Sequence, residues 1–125
     1  MDLTPSEKVK ETTSTQIELK SGIFSSTTAN TINKYGNVVS ITFRGVISGS
    51  PSTPLVIGKT PSGYEPTGDV IYGSLRNGAT NEGMVYANPV SSDDSASRAI
   101  YFVDNASSTL SGKTLNFSIC YVRTS

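Results

Sequence analysis

The chain contains no histidine and no tryptophan, and only one cysteine. Without histidine the commonest general base is missing, along with the imidazole of any serine or cysteine triad. Zinc sites built from Cys and His are excluded by count. A single cysteine makes no internal disulfide, so the fold does not depend on an oxidising compartment. Cys120, between Ile119 and Tyr121, reads as a small strand residue. An excess of either charge is also lacking, since 10 Lys and Arg balance 10 Asp and Glu. Nucleic acid, which draws affinity from clustered cations, is therefore not an expected partner, and neither is an anionic membrane surface. No run approaches the roughly 20 apolar residues of a spanning helix, so no membrane insertion is expected. Charges in Met1–Gln16 occupy the place where a signal peptide is apolar, so no Sec signal is read there.

What remains is a polar chain of single-domain size. At 125 residues, two domains would each be too small for an adequate core. Hydrophobic residues make up 35%, against 35 Ser and Thr residues, which is little apolar material for a monomer and leans toward an oligomer. Residues 1–15 lack apolar periodicity and read as a flexible N-terminal tether, with a helical turn at Pro5–Glu11. Residues 16–125 read as one domain.

Within that domain, apolar residues alternate with period 2 between turn-forming clusters. Gln16–Phe24 places Ile17, Leu19 and Ile23 on one face. Gly36-Asn37 reads as a hairpin turn. The next segment sets Val39, Ile41, Phe43 and Ile47 on one side and Ser40, Thr42 and Arg44 on the other. Further strands are expected at Leu55–Gly58, Val70–Leu75, Met84–Asn88 and Arg98–Val103. The last, Lys113–Arg123, turns Leu115, Phe117, Ile119 and Tyr121 inward, and Asn77-Gly78 reads as a second hairpin turn. No segment shows helical spacing of apolar residues over ten or more positions. About seven to eight short strands separated by Gly, Pro, Asn and Ser predict an all-β protein, an antiparallel β-sandwich or jelly roll.

Two segments carry a resemblance. KYGNVVSITFRGVIS (Lys34–Ser48) and TPSGYEPTGDVIYG (Thr60–Gly73), in that order and spacing, resemble the C-terminal head domains of tailed-phage tail fibre and baseplate proteins. The family's Lys-x-Gly-Asn-Val-Val run leads a hairpin into a central strand. Its Pro-x-Gly-Tyr-x-Pro loop precedes the next strand, and an arginine often stands where this chain has Glu65. The resemblance covers about residues 16–125. It implies a β-sandwich head that forms a homotrimer, assembles with other tail fibre or baseplate proteins and binds host cell-surface polysaccharide. The implied location is the virion, with synthesis in the bacterial cytoplasm and no signal peptide. It equally allows a module that only caps and trimerises the fibre.

Sugars are bound by aromatic faces and paired polar groups. Tyr72, Tyr86 and Tyr101 lie on expected strands, and Arg76, Asn77, Asn81, Asp93, Asp94 and Arg98 lie in or beside loops, the usual place for recognition on a rigid scaffold. Tyr64 is either a plug folded back on the sheet or a ligand-stacking ring. These residues are candidates for ligand binding; no catalytic residue and no cofactor is expected. A glycosidase pair would need two carboxylates several ångströms apart, and only Asp93 with Asp94, or Glu65 with Asp69, are candidates. Asp93, Asp94 and Asp104 are oxygen ligands of the type calcium takes, but EF-hand spacing is absent and no metal site is expected. Asn105-Ala106-Ser107 and Asn116-Phe117-Ser118 match the glycosylation pattern, and without a signal peptide they read as chance matches.

Overall fold

The structure is a computed structural model that describes residues 12–105 and 110–124. The expected helical turn at Pro5–Glu11 lies outside them. The described residues are all-β, with strands β1 (Thr12–Thr15), β2 (Glu18–Leu19), β3 (Phe24–Tyr35), β4 (Val38–Ile47), β5 (Leu55–Lys59), β6 (Ile71–Asn77), β7 (Thr80–Ala87), β8 (Ala99–Asp104) and β9 (Thr114–Val122). They form one antiparallel sheet in the order β1-β3-β4-β9-β6-β7-β8-β5-β2. Thr12–Thr15, within the segment read as a tether, pairs with Ile32–Tyr35 of β3.

The sheet curls on itself in a sandwich-like arrangement. β6 and β9 share a single paired position, Arg76 with Asn116, so the two halves hinge there. Their inner sides meet through aromatic side chains: the Phe43 and Phe102 rings lie 6.3 Å apart, and Phe102 meets Phe117 edge-on at 5.8 Å. Edge-to-face contacts of this kind add to the burial of large apolar surface. The opposite side is closed by the chain, because β1 and β2 are consecutive in sequence yet lie at the two ends of the sheet. Asn30 fixes the crossing: its side chain accepts from Ile17 N at 2.8 Å and donates to Ile17 O at 3.1 Å.

Alternation explains the long strands. Val39, Ile41, Phe43 and Ile47 on β4 are buried, as are Leu115, Phe117, Ile119 and Tyr121 on β9. Gly36 stands first of the two turn residues with φ +59°, the position where a type II′ hairpin needs glycine. In the β6–β7 hairpin the turn residues are Gly78 and Ala79, one position later than the pair read from sequence, and Asn77 closes the strand opposite Thr80. Ile17, Leu19 and Ile23 do not share one strand, because a turn at Ser21-Gly22 separates β2 from β3. β3 itself is longer than its apolar residues suggest. Ser25–Thr31 is almost wholly polar, and pairing with β4, through two register shifts, makes it a strand.

The Pro-x-Gly-Tyr-x-Pro loop is fastened to β3 by Lys34, whose Nζ donates to Gly63 O at 3.1 Å, and to the end of β9 by Tyr121 and Arg123. Arg123 donates through Nε to Glu65 O at 2.7 Å and through Nη2 to the Glu65 carboxylate at 3.0 Å, and Gly63 N–H donates to the same carboxylate. Tyr121 donates its hydroxyl to Tyr64 O. Burial pushes the Tyr121 phenol well above its ordinary value; Glu65 adds to this and Arg123 opposes it. Because the folded state holds this proton more tightly, its stabilising effect is complete below pH about 10 and is lost as pH rises past that, where the unfolded phenol ionises. Tyr121→Phe should cost about 1 kcal/mol at neutral pH and flatten the alkaline loss of stability. Urea unfolding at pH 7 and above pH 10 checks both, and an unchanged alkaline slope would refute the assignment.

Candidate functional site

The outer face of β6, β7 and β8 carries the most distinctive surface. On β7, Val85 and Ala87 point into the core, so Met84 and Tyr86 point out; on β8, Ile100 and Phe102 are buried, so Tyr101 and Val103 face outward. Register then aligns residues distant in sequence. Tyr72 pairs with Tyr86 and Tyr86 with Tyr101, giving a row of three tyrosines across three strands. Ser74, Met84 and Val103 form the next row, and Val56 of β5 flanks Tyr101.

Ring geometry decides what the row offers. Tyr86 and Tyr101 are stacked, with centroids 4.7 Å apart and planes 14° from parallel. Two rings lying flat and side by side cannot approach so closely, so these stand upright and present edges and hydroxyls outward. Tyr72 is tilted 44° to Tyr86 at 5.8 Å and is 64% exposed, which leaves it a ring face to offer. Partial burial raises the Tyr86 phenol above its ordinary value, and the neighbouring Tyr101 and Tyr72 add to this. The row therefore combines one exposed aromatic face with hydroxyls able to donate and accept.

A hollow of about 240 Å³ adjoins the row, lined by Asn81, Gly83, Met84, Val103, Asp104 and Asn105. Met84, Val103 and Val56 were not singled out from sequence. The available signal was their two-residue spacing from Tyr86 and Tyr101 and, for Val56, its place on a neighbouring strand.

The other candidate residues stand elsewhere or are engaged in holding the fold. Tyr64 is half-buried against the core; its hydroxyl donates to Thr13 at 3.0 Å and Lys34 Nζ lies 5.4 Å from its ring. Arg76 donates to the carbonyls of Gly78 and Ala79, bracing its own hairpin turn, and Asn77 ends β6 exposed. Asp93 accepts from Ser95 N at 3.0 Å and Ser95 Oγ at 2.7 Å, and these hydrogen bonds hold its carboxyl below the ordinary value. Asp94 contributes its backbone carbonyl to Lys59 Nζ. Arg98, at φ +59°, donates to Thr60 O at 2.6 Å and lies 3.9 Å from a Glu18 carboxylate oxygen. It ties the 88–98 connection to the end of β5.

The candidate carboxylates do not converge. Asp93 precedes β8 and Asp104 ends it, where Asp104 accepts from Thr53 Oγ1 at 2.7 Å. Glu65, the partner considered for Asp69, is engaged with Arg123. No group of three or more His, Cys, Asp or Glu that could hold a metal occurs among the described residues. Compared with protein-family models, curated proteins and solved structures, the chain gives no match.

Proposed function

We propose that this chain is a carbohydrate-binding head, the receptor-binding end of a phage tail fibre or baseplate protein, which engages host cell-surface polysaccharide as a homotrimer. The observation that carries the binding reading is the tyrosine row. An exposed Tyr72 face suits the apolar side of a pyranose, and the hydroxyls of Tyr86 and Tyr101 suit its hydroxyl groups. The phage assignment rests on the two motifs within Lys34–Ser48 and Thr60–Gly73. Weak binding at one site, multiplied by copies held on one axis, is the expected mode.

Tyr72→Ala should weaken binding to isolated host cell wall or glycan about tenfold, equivalent to about 1.4 kcal/mol, with an unchanged unfolding midpoint. Calorimetry on wild type and variant measures this. Wild-type protein that binds no cell-wall preparation or glycan panel would end the reading.

A second reading, a trimerisation or capping module, is favoured by a different surface. Tyr35, Val38 and Val122 align in register across β3, β4 and β9, and all three are exposed. The strand faces beyond them carry small side chains, including Thr31, Ser40, Thr42 and Ser118, which let another subunit approach closely. Val122→Asp should then convert an oligomer to a monomer in light scattering. The same mass for wild type and variant would count against an interface there.

A further inference from the structure

Resting on the carbohydrate-binding reading, we infer that the hollow beside the tyrosine row is a subsite for the acetamido group of an N-acetylated amino sugar. An acetamido group has three recognisable parts: an apolar methyl, a carbonyl that accepts and an N–H that donates. The hollow has a counterpart for each. Its floor is the Met84 and Val103 side chains beside Gly83, an apolar seat for a methyl.

Its rim supplies one donor and one acceptor. Asn81 Oδ1 accepts from Gly83 N at 2.9 Å, which orients the amide and leaves Nδ2 to donate to a ligand carbonyl. Asp104, whose Oδ1 accepts from Thr53 Oγ1 at 2.7 Å, brings a carboxylate to the lining that can accept from a ligand N–H. Asn105 Nδ2 donates to Asn81 O at 3.2 Å and ties the two sides of the rim together. Among the described residues of the lining, Asp104 alone carries a formal charge, and its carboxylate repels an anionic substituent such as phosphate or uronate. A bare hydroxyl in the same place would leave Met84 and Val103 wet.

Position supports the assignment. Met84 lies two residues from Tyr86 on one strand face, and Val103 lies two from Tyr101. At about 3.3 Å per residue, the hollow sits about 7 Å from the tyrosine row. One pyranose ring against the tyrosines thus brings a ring substituent to the hollow.

The test uses the Met84 methyl as its reporter. It is one of only 2 methionines in the chain, so its NMR signal is readily assigned. Wild-type protein is titrated with N-acetylglucosamine and N-acetylgalactosamine, and in parallel with glucose and galactose. At least one acetamido sugar should bind about tenfold more tightly than its parent hexose and should shift the Met84 methyl. Asn81→Asp keeps an oxygen for Gly83 N–H and removes the donor, while Asp104→Asn keeps the acceptor for Thr53. Each should abolish the preference without moving the unfolding midpoint. Equal binding of sugar and parent hexose, still lost in Tyr72→Ala, overturns the subsite and leaves the carbohydrate reading standing. Binding of no monosaccharide, or a Met84 methyl unmoved at saturation, also overturns the subsite; binding to whole cell wall then decides the carbohydrate reading separately.

Discussion

Replacing Gly83 with alanine is expected to destabilise the protein by on the order of 4 kcal/mol, or to prevent folding altogether. Two costs combine. Gly83 has φ +152°, a conformation open almost only to glycine. A β-carbon there would also lie 1.9 Å from Val103 O and 2.9 Å from Asp104 Cα, both backbone atoms of the neighbouring strand. Relief by movement is blocked on several sides. Gly83 pairs with Asp104 and Met84 with Val103, Gly83 N donates to Asn81 Oδ1, and Asn105 N donates to Glu82 O at 3.1 Å. The register shift in the β6–β7 ladder accommodates Glu82, which turns inward to an ion pair with Lys113. Gly22→Ala is the control, since Gly22 has φ +83° but nothing within 4 Å of a built β-carbon. It should cost about 1 kcal/mol from backbone strain alone. Urea unfolding of both variants compares them, and a Gly83→Ala loss no larger than the control would show that the strand can move aside.

Arg123→Ala should be nearly as damaging, at about 3 kcal/mol, because it strands a charge. Glu65 is only 4% exposed, and its carboxylate is held by Arg123 Nη2 and the Gly63 amide. The same guanidinium also donates to Glu65 O, so its loss removes the loop's ties at Glu65 and leaves the Tyr121 hydroxyl on Tyr64 O as the hold from β9. Removing both charges at once should be gentler. The double variant Glu65→Gln with Arg123→Met should recover at least half of the lost stability, since no uncompensated carboxylate remains buried. A double variant as unstable as the single one would mean that loop anchoring, rather than the stranded charge, dominates. The arginine that holds Glu65 comes from 58 residues further along the chain.

Parts of this architecture are legible without coordinates. Alternation alone places β4 and β9 and names their buried side chains, because successive side chains of any extended strand point to opposite faces. Ser25–Thr31 of β3 is not legible, since its strand state comes from pairing with β4 rather than from its own composition. The site divides in the same way. Tyr72, Tyr86 and Tyr101 are recognisable as outward-facing strand aromatics, but nothing local says that they share one row. The pairing of Tyr72 with Tyr86 follows from a turn at Gly78-Ala79 and a shift between Leu75 and Arg76, and Tyr101 joins through the separate β7–β8 ladder. Arg76, Asp93 and Arg98 have the chemistry of ligand-binding groups, yet the turn at Gly78, the hydroxyl of Ser95 and the carbonyl of Thr60 engage them.

The sequence by itself thus determined an all-β chain without histidine chemistry, its strongest strands and the inward face of each. Only the tertiary structure decided which strands lie side by side, that Tyr86 and Tyr101 stand upright rather than flat, and that Met84 and Val103 make a hollow beside them. The reason is the range of the interactions involved. Side-chain alternation is covalent geometry that each segment carries alone, whereas register, ring stacking and the partner of a charged group depend on residues brought together from distant parts of the chain.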